Sequence, residues 1–317
     1  MSRYLPKILW LLLCLGLPVL PNCLTAAEAI PVRNIGHGLL VAPVYLNGQG
    51  PFQFVLDTGT NTTLLTPALA VRLGLIAQGH DELQTLTGPA RVSLYRLETV
   101  AVGSHLLRGL PALAQPLGAL QSLDPHIDGI LGLGFLAHFS FGLDYAHRTL
   151  LLDDSGQPLI LQGGTIVPAR LEDERLLVTV ASPASPERSW TLALDSGIAN
   201  VFLFADPHSK ASAPSSGTDN CSPAASEDSP RLGTPHTCSP YAATVRVATN
   251  HSETLAESVI LPSLLVGTLR LRNVRVVVLP PPNSAADVAG DGLLPACLFR
   301  SVVYDQASGT LVLNPDM

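Results

Sequence analysis

"GPFQFVLDTGTNTTLLTP" (residues 50–67) and "RSWTLALDSGIANVFLFADP" (residues 188–207) share one outline. In each, an apolar run leads into Asp-Thr/Ser-Gly and a second apolar run follows. The likeness continues downstream, since "VGSHLLRGLPALAQP" (102–116) returns as "VGTLRLRNVRVVVLP" (266–280). "IDGILGLGFLAHFSFGLDYAHRTLLLD" (127–153) returns as "GDGLLPACLFRSVVYDQASGTLVLNPD" (290–316). Three matches in one order imply an internal duplication, and units of this length imply two similar lobes rather than a solenoid.

Spacing tests the duplication. Gly103 stands 25 residues before Asp128 and Gly267 stands 24 before Asp291, so the last third of each copy is in register. Asp57 stands 46 residues before Gly103, whereas Asp195 stands 72 before Gly267. The second copy therefore carries about 26 extra residues, and they fall within 206–240, a Ser/Pro-rich stretch that reads as a surface insertion. The expected organisation is a first lobe over 30–160 and a second over 161–317 containing that insertion.

Composition fits such a chain. With 317 residues, 47% of them hydrophobic and 14% charged, it can bury a large core, and 26 Gly with 27 Pro make it turn-rich. A net charge of -7 without a basic run argues against nucleic acid as a partner. Apolar runs of five to eight residues, bounded by Gly, Pro, Asn or Asp, recur every ten residues or so and predict a mostly β fold. "DYAHRTLLLDD" and "VVYDQASGTLVLNP" read as hairpins, the second turning at Ser308-Gly309. One segment, "TPALAVRLGL" (66–75), predicts a helix, with Thr66 as N-cap, Pro67 in the first turn and Gly74 near the end.

The beginning of the chain reads as a signal peptide, residues 1–29. Arg3 and Lys7 precede the apolar run Ile8–Leu20, and small residues follow, with cleavage expected after Ala27 or Ala29. At 13 residues the run is short of the roughly 20 needed to cross a membrane, so no stable membrane insertion is expected after cleavage. A secreted or periplasmic location follows. Cleavage leaves Cys221, Cys238 and Cys297; a disulfide between Cys221 and Cys238 would close the Ser/Pro-rich loop and leave Cys297 a buried free thiol, the alternative being three unpaired cysteines.

An isolated carboxylate at the end of a buried strand costs several kcal/mol unless it is paired or hydrogen-bonded. Two of them, Asp57 and Asp195, would meet if the lobes pack about a pseudo-twofold axis. Gly59 and Gly197 would let main-chain N–H groups approach each Asp, and Thr58 and Ser196 place hydroxyls beside them. Like charges about 3 Å apart cannot both ionise cheaply, so the pair would hold one proton, as in the acid proteases from which this rule is drawn. One carboxylate could then act as base on a water while the other protonates a carbonyl oxygen. The bland alternative is that both are turn-forming aspartates.

At these triplets, Asp57-Thr58-Gly59-Thr60 and Asp195-Ser196-Gly197, the chain resembles aspartic proteases, of bilobal pepsin-like or fused retropepsin-like form. "DGILGLGF" (128–135) is similar to the hydrophobic-hydrophobic-Gly element that threads beside the first triplet in that family, and "CLFRSVVYDQASGTLVLNP" (297–315) to pepsin's closing hairpin. The resemblance spans about residues 38 to 316. It implies a pepsin-like acid protease fold with the active-site cleft between lobes, and Asp57 and Asp195 as the catalytic dyad of an endopeptidase. Thr58, Gly59, Thr60, Ser196 and Gly197 would be its support. A substrate-binding flap is implied near 85–95, with Thr87, Gly88 and Pro89 at its tip and Leu86 about where pepsins carry a tyrosine. The implied partner is a peptide or unfolded protein, the implied state a monomer without cofactor. Three departures stand out: Ile198 where the first copy has Thr60, Pro295 where the second hydrophobic-hydrophobic-Gly element expects glycine, and the missing flap tyrosine. They keep open an alternative, a catalytically inactive binding or inhibitor module on the same fold.

Other chemistries lack a frame. Gly132 to Ala137 imitates a dinucleotide fingerprint, with Asp153 near the ribose-binding distance, but strand-like "FSFGLDY" follows instead of a helix. The nine histidines have no metal-ligand spacing, so no metal is expected. Gly-x-Ser-x-Gly does not occur, which leaves Ser196 as a triplet hydroxyl rather than a nucleophile.

Overall fold

The computed structural model of the chain describes residues 27–85, 88–159, 163–183, 185–204, 243–248, 253–279 and 290–315. Most of the signal segment, Thr87 of the flap, and the 206–240 insertion with Cys221 and Cys238 lie outside the described residues.

Two closed six-stranded rings repeat each other strand by strand. The first runs Leu40–Leu46, Gln49–Asp57, Gly129–Gly132, Thr63–Leu65, His105–Ala114 and Gly88–Val102, and closes through the pairs Tyr45–Ala101 and Leu46–Val100. The second runs Arg175–Ser182, Ser185–Asp195, Gly292–Pro295, Val201–Phe204, Leu269–Leu279 and Glu253–Val266, and closes through Val180–Val266 and Ala181–Leu265. Closure protects the strand edges of each ring. The ring-closing residues Ala101 and Leu265 each lie two positions before a hairpin glycine. Those glycines, Gly103 and Gly267, have φ of 58° and 59°, a left-handed turn that favours glycine. The mostly β, two-lobed architecture expected from the duplication is the one observed.

A third sheet joins the lobes. Its order is Glu28–Pro31, Thr149–Asp153, Ser140–Asp144, Phe299–Asp305, Thr310–Pro315 and Thr165–Pro168, three strands from each half of the chain. The halves meet where Ser140–Asp144 runs antiparallel to Phe299–Asp305, pairing Phe141 with Tyr304 and Leu143 with Val302. Side chains alternate along a strand. Phe141, Leu143, Leu150, Leu152, Val302, Leu311 and Leu313 accordingly share one buried cluster with the ring interiors, among them Leu40, Ala42, Val44 and Leu46 of the first and Leu176, Val178 and Val180 of the second. One continuous core thus runs through both lobes and the sheet beneath them. Each side chain of this size contributes about 1.5–3 kcal/mol on full burial. The lobes are therefore not free to separate without exposing that core.

The opposite face of each ring repeats a smaller cluster. Val41, Val55 and Ile130 pack together in the first lobe, and Leu177, Ala193 and Leu293 in the second.

Helices are short. Pro67–Arg72 is the expected one: Thr66 caps it by accepting the Leu69 N–H at 3.2 Å, Leu73 ends it, Gly74 follows with φ of 64°, and Leu69 and Ala70 face the core. Two more, Gly118–Leu123 and Leu133–Leu136, were not expected, because segments of six and four residues are too short to show a helical period. Leu133–Leu136 is followed by the strand Ser140–Asp144, which leaves the fingerprint-like Gly132–Ala137 run without a dinucleotide-binding helix.

Three other expectations fall on described residues. Glu28 and Ala29, read as signal residues, are strand residues paired with Leu152 and Leu151, and the Glu28 carboxylate accepts hydrogen bonds from Ser104 N at 2.8 Å and Ser104 Oγ at 2.7 Å. Gly88 and Pro89 begin the second strand of a hairpin, pairing with Thr85 and Gln84 next to residues 86–87, which lie outside the described residues. Cys297 is free but only half-buried.

Candidate active site

Each triplet sits at the end of a ring strand held from one side by a parallel neighbour. Asp57 lies opposite Gly132 and Asp195 opposite Pro295, in the same register. Both strands are hemmed in by apolar contacts, so their C-terminal ends are fixed in place. The carboxylates therefore emerge where the two rings face each other.

Four hydrogen bonds lock the triplets together across the lobes. The Thr58 N–H donates to Ser196 Oγ at 3.0 Å, and the Ser196 N–H donates to Thr58 Oγ1 at 3.0 Å. Each hydroxyl then donates onward to the opposite lobe, Thr58 Oγ1 to the Leu194 carbonyl at 2.9 Å and Ser196 Oγ to the Leu56 carbonyl at 2.8 Å. Thr58 and Ser196 are 0% and 1% exposed, so every donor and acceptor in this grip is satisfied away from water. Inside it, the Gly59 N–H holds Asp57 Oδ1 at 2.8 Å and the Gly197 N–H holds Asp195 Oδ1 at 2.7 Å.

The two carboxyl groups lie close enough for each to act on the other's ionisation, Asp195 against Gly59 and Asp57 against Gly197. Glycine is required on both sides of them: a Cβ at Gly59 would run into the Asp195 carboxylate, and one at Gly197 would lie 2.7 Å from the Asp57 Cγ. Asp195 is 5% exposed, while solvent reaches Asp57 somewhat more.

Burial raises the pKa of both groups. For Asp57 the Gly59 N–H, its contact with Asp195, the Arg175 charge and the Thr60 N–H act in the opposite direction. Asp195 is pushed well up, by burial and then by the charge of Asp57, against the Gly197 N–H and Arg175. Two carboxyls this close cannot both ionise cheaply. Beside them stand two groups that burial keeps neutral. Tyr145 is raised well above its ordinary value by burial and then by the charges of Cys297, Asp195 and Asp57, and Cys297 is raised by burial, with a smaller push from Asp195.

The residues named from sequence as a site, Asp57 to Thr60 and Asp195 to Gly197, thus come together. Gly88 and Pro89 lie in a ring strand whose hairpin partner, Gly79–Thr85, forms the outer edge of the first ring's sheet. A matching hairpin, Ala243–Ala248 with Glu253–Val266, forms that edge on the second ring and was not anticipated. The Thr60 contact with Asp57 runs through its main-chain N–H, and Ile198 packs in the second lobe's smaller cluster. Pro295 occupies its strand end without altering the triplet: the Gly197–Asp195 bond at 2.7 Å matches the Gly59–Asp57 bond at 2.8 Å. Sequence reading missed Arg175, whose Nη1 donates to the Gly59 carbonyl at 3.0 Å, and Tyr145. A lone arginine at a strand start reads as a solvated end, and nothing in one sequence marks it otherwise. Among the described residues no group of three or more His, Cys, Asp or Glu is placed to hold a metal, and no helix is long and apolar enough to cross a membrane.

This geometry brings two aspartates of matching triplets face to face between the lobes. Residues 42–135 match the model of the family described as aspartyl protease. That stretch holds most of the first ring, from the strand before Asp57 to the turn after Gly132, and it shows the aspartic protease resemblance read from the triplets. Among solved structures, a retropepsin-like aspartic protease from Rickettsia conorii is 23% identical, with a TM-score of 0.30 over 40% of this chain and 93% of that one. No curated protein matches the chain.

Proposed function

We propose that the protein is an aspartic endopeptidase in which Asp57 and Asp195 activate a water for attack on a peptide bond. The observation that carries this reading is the facing pair of carboxyls at the centre of the cross-lobe grip. The ionised partner takes a proton from water as it attacks the scissile carbonyl carbon, and the protonated partner hydrogen-bonds and protonates the carbonyl oxygen. Collapse of the tetrahedral species returns a proton to the leaving amine and breaks the C–N bond. Water supplies the oxygen of the new carboxylate, and no covalent enzyme intermediate forms. An extended peptide fits the cleft as an added strand beneath the two edge hairpins, as other β-fashion peptide binders hold theirs.

The same reading includes export under the N-terminal segment to a secreted or periplasmic location, action as a monomer on peptides or unfolded protein, and a Cys221–Cys238 disulfide. The test is cleavage of an unfolded protein from about pH 3 to 7 by wild type, Asp57→Asn and Asp195→Asn. The expected result is cleavage by wild type and a loss on the order of 10³–10⁴-fold in either variant. A folded wild type inert at every pH would overturn the reading and give the binding module the lead.

A further inference from the structure

Arg175 opens the strand Arg175–Ser182 of the second ring and reaches across to the first lobe, its Nη1 donating to the Gly59 carbonyl at 3.0 Å. Gly59 is no ordinary acceptor. Its own N–H holds Asp57 Oδ1, and its Cα lies against the Asp195 carboxylate. One guanidinium therefore fixes the residue wedged between the two acids, while its charge acts on both of them.

Among the described residues the first ring has no cation at the equivalent position. Val41 pairs with Val55, two residues before Asp57, and Leu177 pairs with Ala193, two residues before Asp195. Counting back two residues from each gives Leu39 in one ring and Arg175 in the other. Leu39 is 5% exposed and packs in an apolar cluster. A site built by duplication thus carries its positive charge on one side. Among the described residues, the other titratable groups beside the pair are Tyr145, just after the joining sheet's central strand Ser140–Asp144, and Cys297, in the turn after Gly292–Pro295, and burial keeps both neutral.

We propose that Arg175 is a positioning residue of the dyad, holding the first triplet against the second lobe and favouring the singly ionised form of the pair. The consequence for catalysis rests on the protease reading; the effect on the carboxyls does not. With Arg175 in place one carboxylate exists at lower pH than burial alone would allow, which widens the working range on the acid side.

The test is a side-chain carboxyl NMR titration of the full mature chain labelled with ¹³C-aspartate, for wild type, Arg175→Gln and Arg175→Lys, with Asp57→Asn and Asp195→Asn as assignments. The expected result is a first ionisation of the pair raised by about one pH unit or more in Arg175→Gln, with Arg175→Lys staying close to wild type. In parallel, the acid limb of the kcat/KM profile moves up by the same amount, and kcat changes more than KM. A merely structural arginine would lower Tm without moving either midpoint, and that result overturns the proposal. If wild type cleaves nothing, the protease reading fails while the carboxyl titration still decides Arg175. Should Arg175→Gln not fold, the uncharged Arg175→Met takes its place: a first ionisation raised by about one pH unit or more supports the proposal, and an unmoved one overturns it.

Discussion

Around Asp57 the chain closes in with backbone; around Asp195 it closes in with side chains. Gly132 leaves no room for more, since a Cβ there would lie 2.6 Å from the Thr60 carbonyl oxygen and 2.7 Å from that of Thr62. The turn that follows clasps the first triplet's loop by main-chain bonds, Leu133 N to the Thr60 carbonyl at 2.8 Å and Gly134 N to the Asn61 carbonyl at 2.9 Å. In the second lobe Pro295 and Cys297 stand two residues apart at the matching places. There the Cys297 thiol donates to the Ile198 carbonyl at 3.5 Å, and its Cβ crowds Gly38 of the other lobe. The grip itself stays symmetric to within the lengths of its bonds. After duplication, then, the hydrogen bonds that place the carboxyls were kept on both sides, while the packing behind them diverged.

The comparison breaks first at the glycines that are symmetric. Gly59→Ala and Gly197→Ala should each lose at least about 10²-fold in kcat/KM, because either methyl displaces the opposite carboxylate. A steady-state assay in which one of them retained wild-type activity would show that the lobes do not press on each other equally. Next come the grip hydroxyls. Thr58→Val and Ser196→Ala each orphan a buried N–H and a carbonyl, and each orphaned group costs about 1–3 kcal/mol. Denaturant melts should give the two variants the same loss; clearly unequal losses would contradict the twofold reading of the grip.

The asymmetric positions sharpen the comparison. Gly132→Ala should cost about 1–3 kcal/mol through overpacking against fixed carbonyls, whereas Pro295→Gly should cost about 2–3 kcal/mol through the void its buried ring leaves and through unfolded-chain entropy. A negligible loss in Gly132→Ala would mean that the backbone clasp is no tighter than its counterpart.

Proton linkage gives a smaller effect with a definite sign. Both carboxyls have raised pKa values in the folded chain, so the folded state binds more protons than the unfolded one from near the ordinary aspartate value of 3.8 up to the raised folded values. Stability is full below that window and falls as pH rises through it. Asp195→Asn removes the more strongly raised group, so calorimetry should find the variant melting above wild type near neutral pH, with a flatter dependence on pH. A variant melting below wild type there would refute this account. Smallest is Cys297→Ala, expected to cost about 1 kcal/mol or less with cleavage unchanged, since a thiol is a weak donor.

Much of the fold was legible because duplication writes each element twice. The triplets, the strands beside them and the closing hairpin repeat in order, and Thr66-Pro67 marks a helix start by local chemistry alone. Three features stayed hidden for physical reasons. The sheet joining the lobes is assembled from strands such as Glu28–Pro31 and Thr165–Pro168, whose partners lie far along the chain, and four residues carry no period strong enough to announce them. The second edge hairpin follows the insertion, which obscured its match to Gly79–Thr85 and Gly88–Val102. Arg175 became visible only once strand register set it opposite Leu39 in the pseudo-symmetric frame.

The ring strand Gly292–Pro295 lies between Ser185–Asp195 and Val201–Phe204, and Phe299–Asp305 completes the sheet shared with the first half of the chain. A ribosome that has released everything up to residue 290 has therefore already delivered both aspartates, yet the second still lacks the parallel strand that holds its end, Pro295 beside Asp195. The last stretch of chain to be made completes the frame around the two carboxyls.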